Sequence, residues 1–261
     1  MPSKLEEDLK MKKNLVLSFV IISAFILVCS NVVSAALPQG LVFLVTFDDQ
    51  KGNTVKDMSG FGNNGTVVGK ADWVNGKSGG GFHFDGKTNI TVPNAKPLSA
   101  LTHPMSVGVW TNPEVLAGWS QVIEMDGPAG WKLGFNVVNV VWTTYFVQDF
   151  TAVGKVIDIG KWTHIAATWD GKQAIIYVNG EPEPPIAGAG VINVEKQPSL
   201  DIGYRSSSKA SYYTGMLDDA FVFNRILKQD EIKGFMGGFA GLLAVAPDDK
   251  ITTTWGNIKL K

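Results

Sequence analysis

The chain has 261 residues, 45% of them hydrophobic, and its 23 basic and 24 acidic residues leave a net charge of −1. That length fits one large β-sandwich or two small domains, with enough apolar residues for a packed core. The near-balanced charge, with no basic patch, argues against nucleic acid as a partner.

At the N-terminus, Lys12-Lys13 precede an apolar run from Leu15 to Cys29, and small residues follow at Val33-Ser34-Ala35-Ala36. A charged start, an apolar middle and a small-residue exit describe a secretory signal peptide. Residues 1–36 therefore read as an N-terminal extension and signal peptide, cleaved after Ala35 or Ala36. Met11 is an alternative start, because Met1 to Lys10 fits no part of the signal. The apolar run is shorter than the roughly 20 residues a span needs, so no membrane span is expected after cleavage. The mature protein is expected to be secreted, extracellular or at the cell surface. The only cysteine, Cys29, falls inside the signal. Val28 stands where lipid anchoring would need a small residue. The mature chain must then be held by its core, or by a metal, without disulfides.

From there the pattern is strand after strand. Leu41 to Phe47 is a β-rich run ended by Asp48-Asp49, and a Gly- and Asn-rich loop follows to Gly65. Phe82-His83-Phe84 and Ile90-Thr91-Val92 flank the turn Asp85-Gly86. Ser106 to Thr111 alternates, with Val107 and Val109 on one face and Trp110 on the other. Trp119 to Met125 is another strand, Trp131, Leu133 and Phe135 share a face, and Val137 to Val147 is rich in β-branched and aromatic residues. Asp170-Gly171 joins Trp162–Trp169 to Gln173–Val178, and Asn179-Gly180 ends the second of these, both with the chemistry tight hairpins need. Gly215 to Phe223 is the last long strand. Only Gln229 to Leu243 has a helical pattern, and its Gly-rich half is a poor helix former. In the tail, Ile251 to Trp255 is a candidate strand. Evenly spaced short strands with Gly and Asn turns define an all-β sandwich or barrel.

Several blocks add up to a resemblance. Phe47-Asp48-Asp49, Asp57-Met58-Ser59-Gly60 with Asn63-Asn64-Gly65, and Gly81-Phe82-His83-Phe84-Asp85-Gly86 come first. Trp162-Thr163-His164-Ile165-Ala166 and Tyr177-Val178-Asn179-Gly180 follow. Gly215-Met216-Leu217-Asp218-Asp219-Ala220 and Asn224-Arg225-Ile226-Leu227 with Glu231-Ile232 complete the series. In this order they resemble the laminin G-like jelly-roll family, which has the concanavalin A-like lectin/glucanase fold, over roughly Leu41 to Phe235. The resemblance implies a two-sheet antiparallel jelly-roll sandwich over residues 37–235, with a short C-terminal helix and a tail at 236–261. One departure is Lys228. The family usually has Ser or Thr there as the helix cap, so this helix is expected to be weaker by about 1 kcal/mol.

The resemblance also implies that first and last strands lie side by side, bringing Asp48 and Asp218 together, and that one structural Ca²⁺ is commonly held there. Calcium takes six to eight oxygens from carboxylates and carbonyls. Asp48 and Asp218 are the matching acids, loop carbonyls near Gly80 complete the shell, and Asp219 is the reserve ligand. The alternative is that these acids only bond loop amides. Zinc is disfavoured because His83, His103 and His164 share no ligand spacing. His164 reads as a core histidine with a backbone partner, and His103 as an exposed loop residue.

Laminarinase-type hydrolases of this fold carry a strand resembling E-[IL]-D-x-(x)-E. Here Glu124 and Asp126 share a strand face, but Gly127, Pro128 and Ala129 stand where the second Glu belongs. Retaining hydrolysis needs two carboxyl groups about 5 Å apart. Glu124 and Asp126 are therefore expected to be solvated acids at a strand end, and the protein is expected not to be an enzyme. The expected function is non-catalytic recognition of a glycan or an extracellular protein. The alternatives are a degenerate or unusual glycoside hydrolase and a structural cell-surface or adhesion protein. Sugars stack on exposed aromatic rings. Aromatics outside the shared motifs are the candidate ligand contacts: Trp142, Tyr145, Trp131 and Tyr204 first, with Trp119, Tyr212 and Tyr213 behind them. Trp110, Trp162 and Trp169 are expected in the core.

Overall fold

The alternating segments become strands, and they do so in chain order. The chain opens with β1 (Leu41–Val45), β2 (Thr54–Val55), β3 (Gly65–Val68), β4 (Trp73–Asn75), β5 (Gly80–Asp85) and β6 (Asn89–Val92). The long β7 (Met105–Val115) leads into a meander of β8 (Trp119–Met125), β9 (Trp131–Asn136), β10 (Asn139–Thr144) and β11 (Gln148–Val156). The hairpin β12 (Thr163–Trp169) and β13 (Gln173–Val178) carries the short β14 (Glu181–Pro182) and β15 (Ile186–Ala187). Finally come β16 (Leu200–Ile202), β17 (Thr214–Phe223) and one helix, α1 (Gln229–Phe235).

In this computed structural model the described residues are 37–239, apart from positions 50, 96, 99–100, 102, 126–129, 145–147, 189, 191, 193–198 and 206–209. Of residues 148–154 only the backbone course is described. The expected signal segment and the expected strand at Ile251–Trp255 lie outside the described residues.

The strands form two antiparallel sheets. One has nine strands in the order β14-β13-β12-β7-β17-β5-β4, with β1 also on β17 and β15 on β13. The other has eight, in the order β11-β10-β9-β8-β16-β6-β3-β2. The sheets share one core. Alternate residues point into it, such as Val107 and Val109 of β7, Ile165 and Trp169 of β12, and Trp131, Leu133 and Phe135 of β9. Each fully buried side chain of this size stabilises by roughly 1.5–3 kcal/mol. The Asp57 loop is locked by its own chemistry. Asp57 accepts bonds from the Leu44, Ser59 and Asn63 amides at 3.1, 2.9 and 2.9 Å and from the Ser59 hydroxyl at 2.8 Å. That is the physical content of the Asp-x-Ser-Gly and Asn pattern there.

The nine-stranded sheet also buries residues on its outer face. Trp110 packs on His164 and His164 on Phe221, while Phe235 and Phe239 pack on Phe221 and Phe235 also on Phe223, in ring contacts of 5.0–6.0 Å. The helix that supplies Phe235 is shorter than the segment 229–243 expected from its pattern, because the chain turns at Met236-Gly237. Lys228 makes no side-chain cap bond, as its chemistry dictates. Half of a capping box nevertheless persists. Glu231 accepts the Lys228 amide at 2.9 Å and is gripped by Arg225 at 2.7 and 3.0 Å. The missing cap is thus offset by a two-pronged ion pair anchored on the sheet side.

The expected strand Val137 to Val147 begins late, as β10 at Asn139, and positions 145–147 lie outside the described residues. Val137 and Val138 form the turn between β9 and β10, and Val137 has φ 54°. Asn136 and Asn139 flank the turn, but its two central positions are valines, which is why the pattern conceals it. Trp162 precedes β12 and is only half-buried, whereas Trp169 lies in the core.

Candidate metal centre and ligand face

The carboxylates meet where β17 changes partner. Its first half pairs with β5, from Thr214↔Asp85 to Leu217↔Phe82, and its second half pairs with β1, from Ala220↔Val45 onward. Asp218 and Asp219 fall in the gap between these ladders. Two loops close the gap, the exit of β1 with Asp48 and the β4–β5 turn with Ser78, Gly79 and Gly80. The backbone is strained on both sides: Phe47, just before Asp48, has φ 56° and Asp219 has φ 47°. An aromatic residue in that region is an outlier, and such outliers cluster at functional sites.

Each acid spends one oxygen on the turn. Gly80 N–H donates to Asp48 Oδ1 at 2.8 Å and Ser78 N–H donates to Asp218 Oδ2 at 2.9 Å. A Cβ on Gly76 would collide with Asp218, and one on Gly79 with Asp48, so only glycine lets this turn sit so close. The remaining oxygens are the unusual part. Asp218 and Asp219 are buried, yet Asp218 Oδ1 and Asp219 Oδ2 have no hydrogen-bond partner. Burial pushes the Asp218 carboxyl up to about 7, opposed by the Ser78 and Asp219 amides and reinforced by repulsion from Asp48. Burial, then repulsion from Asp218 and Asp48, pushes Asp219 up to about 8. Lys77, on the same turn, lays its ammonium over the Trp110 ring, 4.9 Å from the centroid.

Buried carboxylate oxygens without a donor are costly, and a bound cation removes the cost. The arrangement suits a hard, oxygen-seeking ion such as Ca²⁺. Among the described residues no three His, Cys, Asp or Glu side chains form a ready-made metal site. A cation here would therefore draw on main-chain oxygens as well as carboxylates, as calcium does and zinc does not. The structure thus gathers Asp48, Asp218 and Gly80, and it adds Asp219 with an orphaned oxygen of its own. The histidines are dispersed. His83 is held on the outer face by Asp72 at 2.9 Å and Glu114 at 3.2 Å, His103 is exposed in a loop, and His164 is buried between Trp110 and Phe221. The ring of His164 has no polar partner, contrary to expectation. Its main chain is bonded instead: the N–H donates to Asn179 Oδ1 at 2.9 Å and the carbonyl accepts the Asn179 N–H at 2.8 Å.

The candidate ligand aromatics separate sharply. Trp131 and Trp142 are fully buried in the core, stacked at 5.7 Å, so neither can meet a ligand at the surface. Their inward strand positions decide this: β9 and β10 pair through Trp142↔Leu133 and Thr144↔Trp131, and both rings fall on the core side. Tyr145 lies outside the described residues. Tyr213 is buried against the Thr111 hydroxyl at 2.7 Å. Tyr204 and Tyr212 remain half-buried at the surface, their rings 4.6 Å apart. Their loop is pinned to β8 and to itself. Gly203 N–H donates to Val122 O, Gln121 N–H to Ser211 O, and Tyr213 N–H to Gly203 O, at 2.9, 2.9 and 3.0 Å.

Glu124 is buried, which corrects the expectation of a solvated acid. It sits in a cross-strand row with Lys132 on β9 and Asp201 on β16. The row lies on the face opposite the core, because Ile123, Met125, Leu133, Leu200 and Ile202 all point inward. Asp201 accepts bonds from the Thr91 hydroxyl at 2.7 Å and the Ser199 hydroxyl at 3.2 Å. Asp126 lies outside the described residues.

Two antiparallel sheets, with first and last strands paired beside a carboxylate cluster, define a lectin-type jelly roll. A laminin G family model, described as the concanavalin A-like lectin/glucanases superfamily, matches residues 84–233, and the chain belongs to that superfamily. No curated protein matches the chain. Among solved structures it is similar to domain 4 of AbnA, an extracellular GH43 arabinanase from Geobacillus stearothermophilus, in complex with arabinotriose. That likeness has 18% identity and a TM-score of 0.62 and covers 75% of this chain and 98% of that one. It is also similar to botulinum neurotoxin type C, whose cell entry is dependent upon interaction with two ganglioside molecules (15%, TM-score 0.57, 76% and 51% covered). A third is the binding domain of botulinum neurotoxin DC in complex with rat synaptotagmin II (15%, TM-score 0.56, 76% and 51% covered). The chain spans about half the length of these two toxin structures.

Proposed function

We propose that the protein is an exported, non-catalytic recognition module for glycans or protein surfaces, stabilised by one calcium ion among Asp48, Asp218, Asp219 and main-chain oxygens near Gly80. The observation that carries the recognition reading is the Tyr204–Tyr212 pair. It places two half-buried rings against each other at the surface, 34° from parallel, on a loop anchored to β8, and sugars stack on surface aromatics of this kind. Structurally similar proteins that bind arabinotriose, gangliosides or synaptotagmin II support the same class of ligand. Export rests on the signal-like segment at 1–36.

Hydrolysis is the second reading, because Glu124 and Asp201 are direct cross-strand neighbours. Directly opposed residues have Cβ atoms about 5 Å apart, near the spacing of a retaining pair. Both acids are shut away from solvent, however, and Asp201 is already occupied by Thr91 and Ser199. A sugar has no place between them. Affinity electrophoresis through gels containing arabinan or ganglioside-type oligosaccharides tests recognition. Retardation should fall by about tenfold or more in affinity for Tyr204→Ala and again for Tyr212→Ala. Equal retardation of both variants and the parent would take the pair out of the site.

A further inference from the structure

Residues 236–239 follow α1 and lie against the nine-stranded sheet, where three contacts tie them to the carboxylate cluster. Gly238 has φ 89°. A Cβ there would stand 2.8 Å from Ser78 Oγ and 3.5 Å from Asp219 Oδ2. Asp219 is 3% exposed, and that oxygen is the one without a donor. Met236 O accepts the Trp110 Nε1–H at 3.3 Å, and Trp110 stands opposite Asp218 in the β7–β17 ladder with the Lys77 ammonium over its ring. Phe239 is buried against Phe221, close after Asp219 on β17, with ring centroids 5.5 Å apart.

This arm has little of its own to hold it. α1 is seven residues long, and a helix that short is not stable alone. Gly237 and Gly238 then lose more chain entropy on ordering than any other residue type would. Docking on the sheet is what orders the segment. Across the contact, Asp219 is repelled by Asp218 and Asp48. The other walls of the cluster are fixed: β17 is paired on both sides of Asp218 and Asp219, and the turn at 78–80 is bonded to Asp48 and Asp218. The arm is the wall that can yield.

Building on the calcium reading of the carboxylate cluster, we infer that residues 236–239 form a movable wall of that site, and that cation binding and docking of this arm strengthen each other. A cation among the acids offsets the repulsion on Asp219, and the arm stays down. Without the cation the arm lifts and opens Trp110 and Phe221 to solvent. Such coupling is reciprocal: the factor by which the cation favours the docked arm is the factor by which the docked arm favours the cation. Packing away from every carboxylate, at Phe239 above all, therefore carries part of the calcium affinity.

Calorimetric titration of the purified protein with calcium reads the affinity. Phe239→Ala should weaken it by about tenfold. Gly238→Ala, which directs a Cβ at Ser78 Oγ, should act in the same direction and is the second handle if the first variant folds poorly. Val140→Ala opens a cavity in the core behind the other sheet, and should lower stability while leaving the calcium affinity as in the parent. Hydrogen exchange of the amides at 229–239 should slow by about tenfold when calcium is added to the parent, and should not respond in Asp218→Asn. Equal calcium affinity in the parent and both arm variants, or exchange at 229–239 that ignores calcium bound by the parent, would overturn the coupling and leave the calcium reading standing. A parent that takes up no calcium would remove both.

Discussion

Calcium at a large excess over its dissociation constant is expected to raise the melting temperature of the chelator-treated protein by on the order of 10 °C. A ligand that binds only the folded state at 1,000 times its dissociation constant adds about 4 kcal/mol. In a domain of about 200 residues each kcal/mol shifts the midpoint by roughly 2–4 °C. The physical source is the pair of orphaned oxygens, Asp218 Oδ1 and Asp219 Oδ2, which face like charges without a donor. Asp218→Asn should abolish the calcium response. It should cost little in the metal-free protein, because it replaces a buried, repelled carboxylate with an amide of the same shape while keeping an oxygen for the Ser78 N–H. Calorimetric melts with EDTA and with calcium separate the variant from the parent. Identical melts for the parent in both conditions would remove the metal from the account.

Acid should destabilise the fold through His164. Burial holds this imidazole down at about 3, so the folded protein keeps it neutral. In the unfolded chain it takes up a proton near 6.5. Between these two values the unfolded state binds the extra proton, so stability falls as the pH falls below 6.5. The slope is about 1.4 kcal/mol per pH unit for this one group. His164→Phe keeps a ring between Trp110 and Phe221 and removes the titration. Urea denaturation at pH 7 and pH 5 should show a loss on acidification that is about 2 kcal/mol smaller in the variant. Equal losses in both proteins would mean that His164 has a protonation partner when folded.

Much of the fold was legible because its signals are local. Asp170-Gly171 and Asn179-Gly180 bend the chain wherever they occur, and alternation in β7, β9 and β12 sorts inward from outward side chains. The carboxylate site was legible through resemblance, since Asp48 and Asp218 are 170 positions apart and no periodicity connects them. What stayed hidden depends on tertiary context. Composition makes Trp131 and Trp142 look like sugar platforms, but their strand parity sends both inward. Glu124 reads as a surface acid until Lys132 and Asp201 are placed beside it by pairing. The turn at Val137 was invisible because the residue contradicts its own backbone. Asp219 was only a reserve ligand under regular strand alternation, and its left-handed backbone, which breaks that alternation, explains how it can reach the same site.

The most direct test of the recognition reading is a glycan array probed with the sandwich, with and without calcium, followed by product analysis on every glycan that binds. The account predicts calcium-dependent retention on a defined set of glycans, lost in the Tyr204→Ala and Tyr212→Ala double variant, with each bound glycan recovered intact. Release of shortened oligosaccharides, abolished by Glu124→Gln, would contradict it.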